Sequence, residues 1–166
     1  MLFNNPNNEQ LFNDFYKNYM HVIDGIYKDV NQRFFMTDVY TDTGSFIGFS
    51  NDDKRRLYNP QNSDTPFQCL INFMGHTEIM RHKACCDAGR FSPEEQYALI
   101  AHEIGHFIAA IERIQVYGFD EEVFADTIAV KIGLRNEIVS AIQKLIKSPM
   151  TDKTVIPELN ARLNLL

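Results

Sequence analysis

Ser92-Pro93-Glu94-Glu95-Gln96-Tyr97-Ala98-Leu99-Ile100-Ala101-His102-Glu103-Ile104-Gly105-His106 reads as the opening of a buried helix that carries chemistry. Ser92 suits the N-cap, Pro93 the first helical position, and Glu95 lies three residues after Ser92, as a capping box requires. Ala98 to Ala101 and Phe107 to Ile111 are uncharged, so the predicted helix, Pro93 to about Arg113, is buried on both sides of the polar residues. His102 and His106 are one turn apart, stack on one face and can each direct a ring nitrogen at a single ion. Glu103 sits roughly 100° round from His102. It therefore flanks the ion, which suits a carboxylate that takes a proton from water activated there.

Two histidines hold a catalytic metal poorly, because such sites normally use three protein ligands. The acidic residues that open the next helix supply the third. Gly118 marks a turn, Asp120 is a suitable cap, and the helix is predicted to run to about Ile132 and stop at Gly133. Glu122 lies 16 residues beyond His106, on a helix that can fold back over the first. Asp126, four further on, shares its face, where a carboxylate can accept the second N–H of a ligand histidine and fix its tautomer. Glu121 competes with Glu122 as ligand, since first-turn acids also stabilise a helix through its dipole. The position relative to Ala125-Asp126 favours Glu122.

Together, H-E-x-x-H at 102–106 and Glu122-Val123-Phe124-Ala125-Asp126 resemble the gluzincin class of zinc metallopeptidases, most closely the ImmA/IrrE-type and minigluzincin peptidases. The match spans about 92–133, and Pro157-Glu158-Leu159-Asn160-Ala161-Arg162-Leu163 resembles the closing helix of some gluzincins. The resemblance implies one zincin-like metallopeptidase domain over 1–166, with His102, His106 and Glu122 binding one Zn2+. It makes Glu103 the general base and later acid, and Asp126 the partner of a ligand histidine. It also implies an oxyanion donor outside the two motifs, for which Tyr117, Arg113, His76 and His82 are the candidates. A sheet-edge strand, here 73–80, would pair with an extended peptide substrate. No helix-turn-helix segment of the kind some relatives carry is recognisable.

The rest of the chain sets the context. With 166 residues, 45% hydrophobic and 23% charged, it has the size and composition of one globular domain. A formal charge of −6 argues against nucleic acid as the main partner, and Lys54-Arg55-Arg56 reads as a solvated loop. No run approaches 18 apolar residues, so no membrane partner is expected. The first residues lack the basic start and apolar stretch of a secretory signal. The three cysteines, Cys69, Cys85 and Cys86, form no even disulfide framework. Both observations point to the cytoplasm.

Ahead of the motif helix, Leu11, Phe12, Phe15, Tyr16, Tyr19, Ile23, Ile26, Tyr27 and Val30 recur at helical spacing, predicting an amphipathic helix over 8–30 with a frayed start before it. Apolar runs at 34–40 and 45–50 flank Asp42-Thr43-Gly44 and predict a β-hairpin. A polar loop follows to Pro66, then strands at 67–74 and 76–83, the latter ending at Asp87-Ala88-Gly89. After Gly133, helices are predicted at 135–147 and 157–165. The fold class is therefore α+β: an N-terminal helix, a small and mostly antiparallel sheet, the motif helix, the glutamate-ligand helix and C-terminal helices.

The function these residues predict is zinc-dependent hydrolysis of a protein or peptide. One alternative is a non-catalytic zinc-binding or interaction module of the same fold, against which Glu103 argues, because a structural site needs no general base. Another is a scaffold with a fortuitous motif, against which the caps and the second acidic motif argue. Cys85 and Cys86 read either as small buried hydrophobes or as a thiolate that fills the open metal position and holds the enzyme latent. No motif bears on substrate identity or oligomeric state.

Overall fold

The structure, a computed structural model, describes residues 2–3, 6–28, 30, 36–40, 65–71 and 77–166. In chain order these form β1 (Leu2–Phe3), α1 (Pro6–Phe15), a π-helical turn (Tyr16–Met20), α2 (His21–Ile26), β2 (Met36–Tyr40), β3 (Phe67–Ile71), β4 (Thr77–Arg81) and α3 (Lys83–Gly89). Then come α4 (Pro93–Ile111), α5 (Phe119–Lys131), α6 (Arg135–Lys147), a 3-10 turn (Lys153–Val155) and α7 (Ile156–Leu165). Helices dominate and a small sheet accompanies them.

The N-terminal amphipathic segment is present, but not as one regular helix. Phe12 and Phe15 are buried, and the next buried positions are Met20 and Ile23, while Tyr16 faces outward. The π turn explains the step from Phe15 to Met20. An i→i+5 turn holds an extra residue, which rotates the apolar stripe onward. Within the predicted frayed start, Leu2–Phe3 form β1 and pair with β2, and α1 begins at Pro6; residues 1, 4 and 5 lie outside the described residues.

The sheet order is β1-β2-β4-β3. β1 pairs parallel with β2, β2 parallel with β4, and only β3 runs antiparallel, in register with β4 at Cys69 and Ile79. This corrects the expected mostly antiparallel sheet. Parallel neighbours require a crossover, and the N-terminal helical segment supplies the one between β1 and β2. β3 then reverses the chain and β4 reverses it again, so β4, inserted between β2 and β3, runs parallel to β2. The proposed strand at 45–50, its turn and the loop at 51–64, including Lys54-Arg55-Arg56, lie outside the described residues. β4 is an interior strand and β3 the outer one, so the described edge lies at 67–71 rather than 73–80.

The stretch read as the end of a fourth strand is the short helix α3, which buries Cys85 and Cys86 and is closed by Arg90 in the left-handed region. The one-residue β–α junction at His82 leaves no polar turn to betray the change.

α4 forms as its caps dictate. Glu95 N–H donates to Ser92 Oγ at 3.1 Å and Ser92 N–H to Glu95 Oε1 at 2.8 Å. Glu95 is buried and also accepts from Ser140 Oγ and Lys144 Nζ of α6, at 2.6 and 2.5 Å. These donors overcome the cost of burial and hold its carboxyl below the usual range. α5 is capped by Gly118, whose φ of 56° and ψ of −125° suit glycine, and not by Asp120. Asp120, Glu121 and Glu122 thus occupy the first turn, where carboxylates meet the positive end of the helix dipole.

One buried cluster joins these layers: Phe12, Phe15 and Ile23 from the N-terminal segment, Phe67 and Ile79 from the sheet, Ile100, Ile104 and Ile108 from α4, Ile128 from α5 and Ile142 from α6. α4 and α5 approach closely at Gly105. A Cβ there would come within 2.6 Å of Ala125 Cα and 3.1 Å of Ala125 Cβ. The glycine therefore sets the helix separation. Gly105→Ala is expected to lower stability despite the better helix propensity of alanine: overpacking costs about 1–3 kcal/mol, against a propensity gain of about 0.5–1 kcal/mol. A thermal melt at or above the wild-type temperature would contradict this.

Candidate metal centre

The contact between α4 and α5 brings His102, His106 and Glu122 together, with one donor atom of each within 4.8 Å of the others. His102 Nε2 lies 3.0 Å from Glu122 Oε2 and 3.2 Å from His106 Nε2, and His106 Nε2 lies 3.5 Å from Glu122 Oε1. Both Nε2 atoms and one carboxylate thus face a common point. A His-His-Glu group of these dimensions is compatible with a metal ion.

The opposite ring nitrogens are also held. His102 Nδ1 is 2.8 Å from Asp126 Oδ1, and His106 Nδ1 is 3.0 Å from Glu121 Oε2. A carboxylate at Nδ1 favours a proton there and leaves Nε2 as the ligating atom. Glu121 and Glu122, competitors in the sequence, divide the work: one faces the Nε2 atoms and the other grips His106 from behind.

Electrostatics follow from this crowding. Burial works against a charged His102, but Asp126 and Glu122 outweigh it and raise the pKa from 6.5 to about 9. His106 is raised in the same way, burial being overcome chiefly by Glu122. The reciprocal effect lowers Glu122 and Asp126, whose burial is offset by His102 together with His106 and Arg162 respectively. Glu103 differs: burial dominates and lifts its carboxyl above the ordinary range. Its Oε2 accepts the backbone N–H of Cys69 in β3 at 2.8 Å, tying the acid to the sheet edge.

Two participants escaped the sequence reading. Arg162 of α7 is 6% exposed and donates from Nε and Nη2 to both oxygens of Asp126, at 2.8 and 2.7 Å. The signal was a charge three residues after the buried Leu159, on an otherwise apolar face. The Cys69 N–H had no signal, being a backbone group 34 residues from its partner.

Other expected participants lie elsewhere. Tyr117 is 78% exposed, and with Arg113 and Glu121 it borders a cavity of about 310 Å³ beside the α4–α5 connection. His82 is buried, its Nε2 3.5 Å from Gln68 Oε1. His76 lies outside the described residues. Cys85 and Cys86 are not among the clustered donors, and Cys86 Sγ points to Pro66 O at 3.7 Å, so the packing reading of this pair fits and the latch does not. No helix among the described residues is long and apolar enough to cross a membrane.

No protein-family model matches this chain, and no curated protein and no solved structure shows significant similarity to it.

The raised His102 pKa has a consequence for the metal-free protein. A group whose folded pKa exceeds its unfolded value stabilises fully below the unfolded value and loses that contribution as pH rises through the folded one. Chelator-treated protein is therefore expected to melt at progressively lower temperature from about pH 6.5 to about 9. The slope should shrink in Asp126→Asn, and a flat profile in the wild type would refute the ion-pair account.

Proposed function

We propose that the protein is a zinc-dependent metallopeptidase of the gluzincin type, with one ion held by His102, His106 and Glu122. The observation that carries this reading is the convergence of two imidazole Nε2 atoms and one carboxylate beside a separate buried glutamate, Glu103. The donor set suits zinc, which accepts nitrogen and oxygen ligands at about 2.0–2.2 Å. Bonds of that length in a tetrahedron place donor atoms roughly 3.3–3.5 Å apart; the two Nε2 atoms here are 3.2 Å apart, and each has a different Glu122 oxygen at 3.0 or 3.5 Å. The carboxylates at both Nδ1 atoms fit the same role.

When bound, zinc would supply Lewis acidity, lowering the pKa of water and polarising a substrate carbonyl. The chain supplies the rest. Glu103 Oε2 is tethered by the Cys69 N–H, so Oε1 takes the proton from the attacking water and later passes it to the leaving amine. Its raised pKa suits a group that must both accept and release a proton near neutrality. β3, the outer described strand, ends its tether at this acid, which supports an extended peptide as substrate, docked along the sheet edge. Cys69, Cys85 and Cys86 are not joined in disulfides, which agrees with a reducing compartment such as the cytoplasm.

The separating experiment compares wild type and Glu103→Gln on a peptide library after zinc reconstitution. Cleavage is expected to fall by at least about 100-fold while zinc content stays at one ion per chain. Equal background cleavage by both proteins, with zinc retained, would favour a non-catalytic zinc module. Glu122→Ala is expected to lose the metal itself, and a zinc content unchanged from wild type would remove Glu122 from the ligand set.

A further inference from the structure

Arg162 makes more contacts with the metal centre than helix packing requires. Its Nε and Nη2 take both oxygens of Asp126, and its Nη1 lies 3.5 Å from Glu122 Oε2. The same Asp126 Oδ1 that accepts from Nη2 is 2.8 Å from His102 Nδ1. One guanidinium thus addresses both carboxylates that touch His102, although it comes from the last helix, 36 residues beyond Asp126.

If Arg162 only fastened α7 to α5, an apolar side chain would serve better, because a buried ion pair repays its desolvation poorly. The fork geometry offers something an apolar contact cannot. Two parallel N–H donors fix the plane of a carboxylate, not merely its charge. With the plane of Asp126 fixed, Oδ1 is held against His102 Nδ1, the proton stays on that nitrogen, and Nε2 keeps its lone pair toward Glu122 and His106. The third contact bears on Glu122 Oε2, the same oxygen that lies 3.0 Å from His102 Nε2.

We propose that Arg162 is a positioning residue of the metal centre, setting the orientation of His102 through Asp126 and of Glu122 directly, so that metal binding and docking of the C-terminal helix are coupled. This rests on the metal-centre reading above. The coupling is reciprocal: a docked α7 tightens the metal, and a bound metal tightens α7.

Cobalt(II) titration under chelator competition, well below the melting temperature, tests it in wild type and four variants. Arg162→Met is expected to weaken cobalt(II) binding by about 10–100-fold, and Arg162→Lys, which keeps the charge but loses the fork, to fall between it and wild type. In an Asp126→Asn background, Arg162→Met is expected to add less than about threefold, because two changes on one chain of contacts do not add. Hydrogen exchange supplies a readout that a packing role would not move: cobalt(II) is expected to slow exchange across 156–165 in wild type and much less in Arg162→Met. The proposal is overturned if Arg162→Met binds within about threefold of wild type, or if its full loss recurs in the Asp126→Asn background. Should Arg162→Met not fold, Arg162→Lys with wild-type affinity and an unchanged cobalt visible spectrum overturns it equally. A wild type that binds no cobalt(II) refutes the metal-centre reading itself, and this inference with it.

Discussion

Everything at the centre depends on how closely α4 and α5 approach. Gly105 presents only hydrogen to Ala125, and that contact lets two short carboxylates from one helix reach two imidazoles on the other. Glutamate and aspartate have little reach. Had Gly105 carried a side chain, the helices would part, and Asp126 would be first to lose its histidine, because its side chain is the shorter. Small residues at a helix crossing are usually read as a packing economy. Here the crossing also sets the distances within the His102, His106 and Glu122 cluster.

A second constraint is charge. Glu121, Glu122 and Asp126 gather around two rings, and Glu122, joined by Asp126 at His102, pushes them toward the protonated form. Without a cation, Glu122 and Asp126 are offset by His102, His106 and Arg162, each drawn toward its charged form. With a divalent ion, the ring protons on the Nε2 side must leave, and the ion takes over their electrostatic role.

The sequence disclosed the parts of this arrangement that are local and periodic. The capping box at Ser92 and Glu95, the one-turn spacing of His102 and His106, and the shared face of Glu122 and Asp126 are all rules of one helix at a time, and the geometry follows them. The sheet was less legible because strand direction is decided by connections, and nothing in Met36–Tyr40 or Thr77–Arg81 states which neighbour it will meet. α3 was hidden by its length, and the cap of α5 by the choice among Gly118 and three consecutive acids, where backbone conformation won over side-chain preference. Arg162 was visible as a residue but not as a partner. Reading it required knowing that the last helix returns to the first carboxylate pair.

The tether on Glu103 carries a lesson of another kind. The group that orients this acid is a peptide N–H, so whatever side chain stands at position 69 can change while the bond persists. Alanine scanning along 65–71 would pass over it without a signal, and a sequence comparison would find no constraint to register there. Such a device is free to drift in identity while remaining fixed in space, which allows the outer face of that strand to change its chemistry without disturbing the acid beside it.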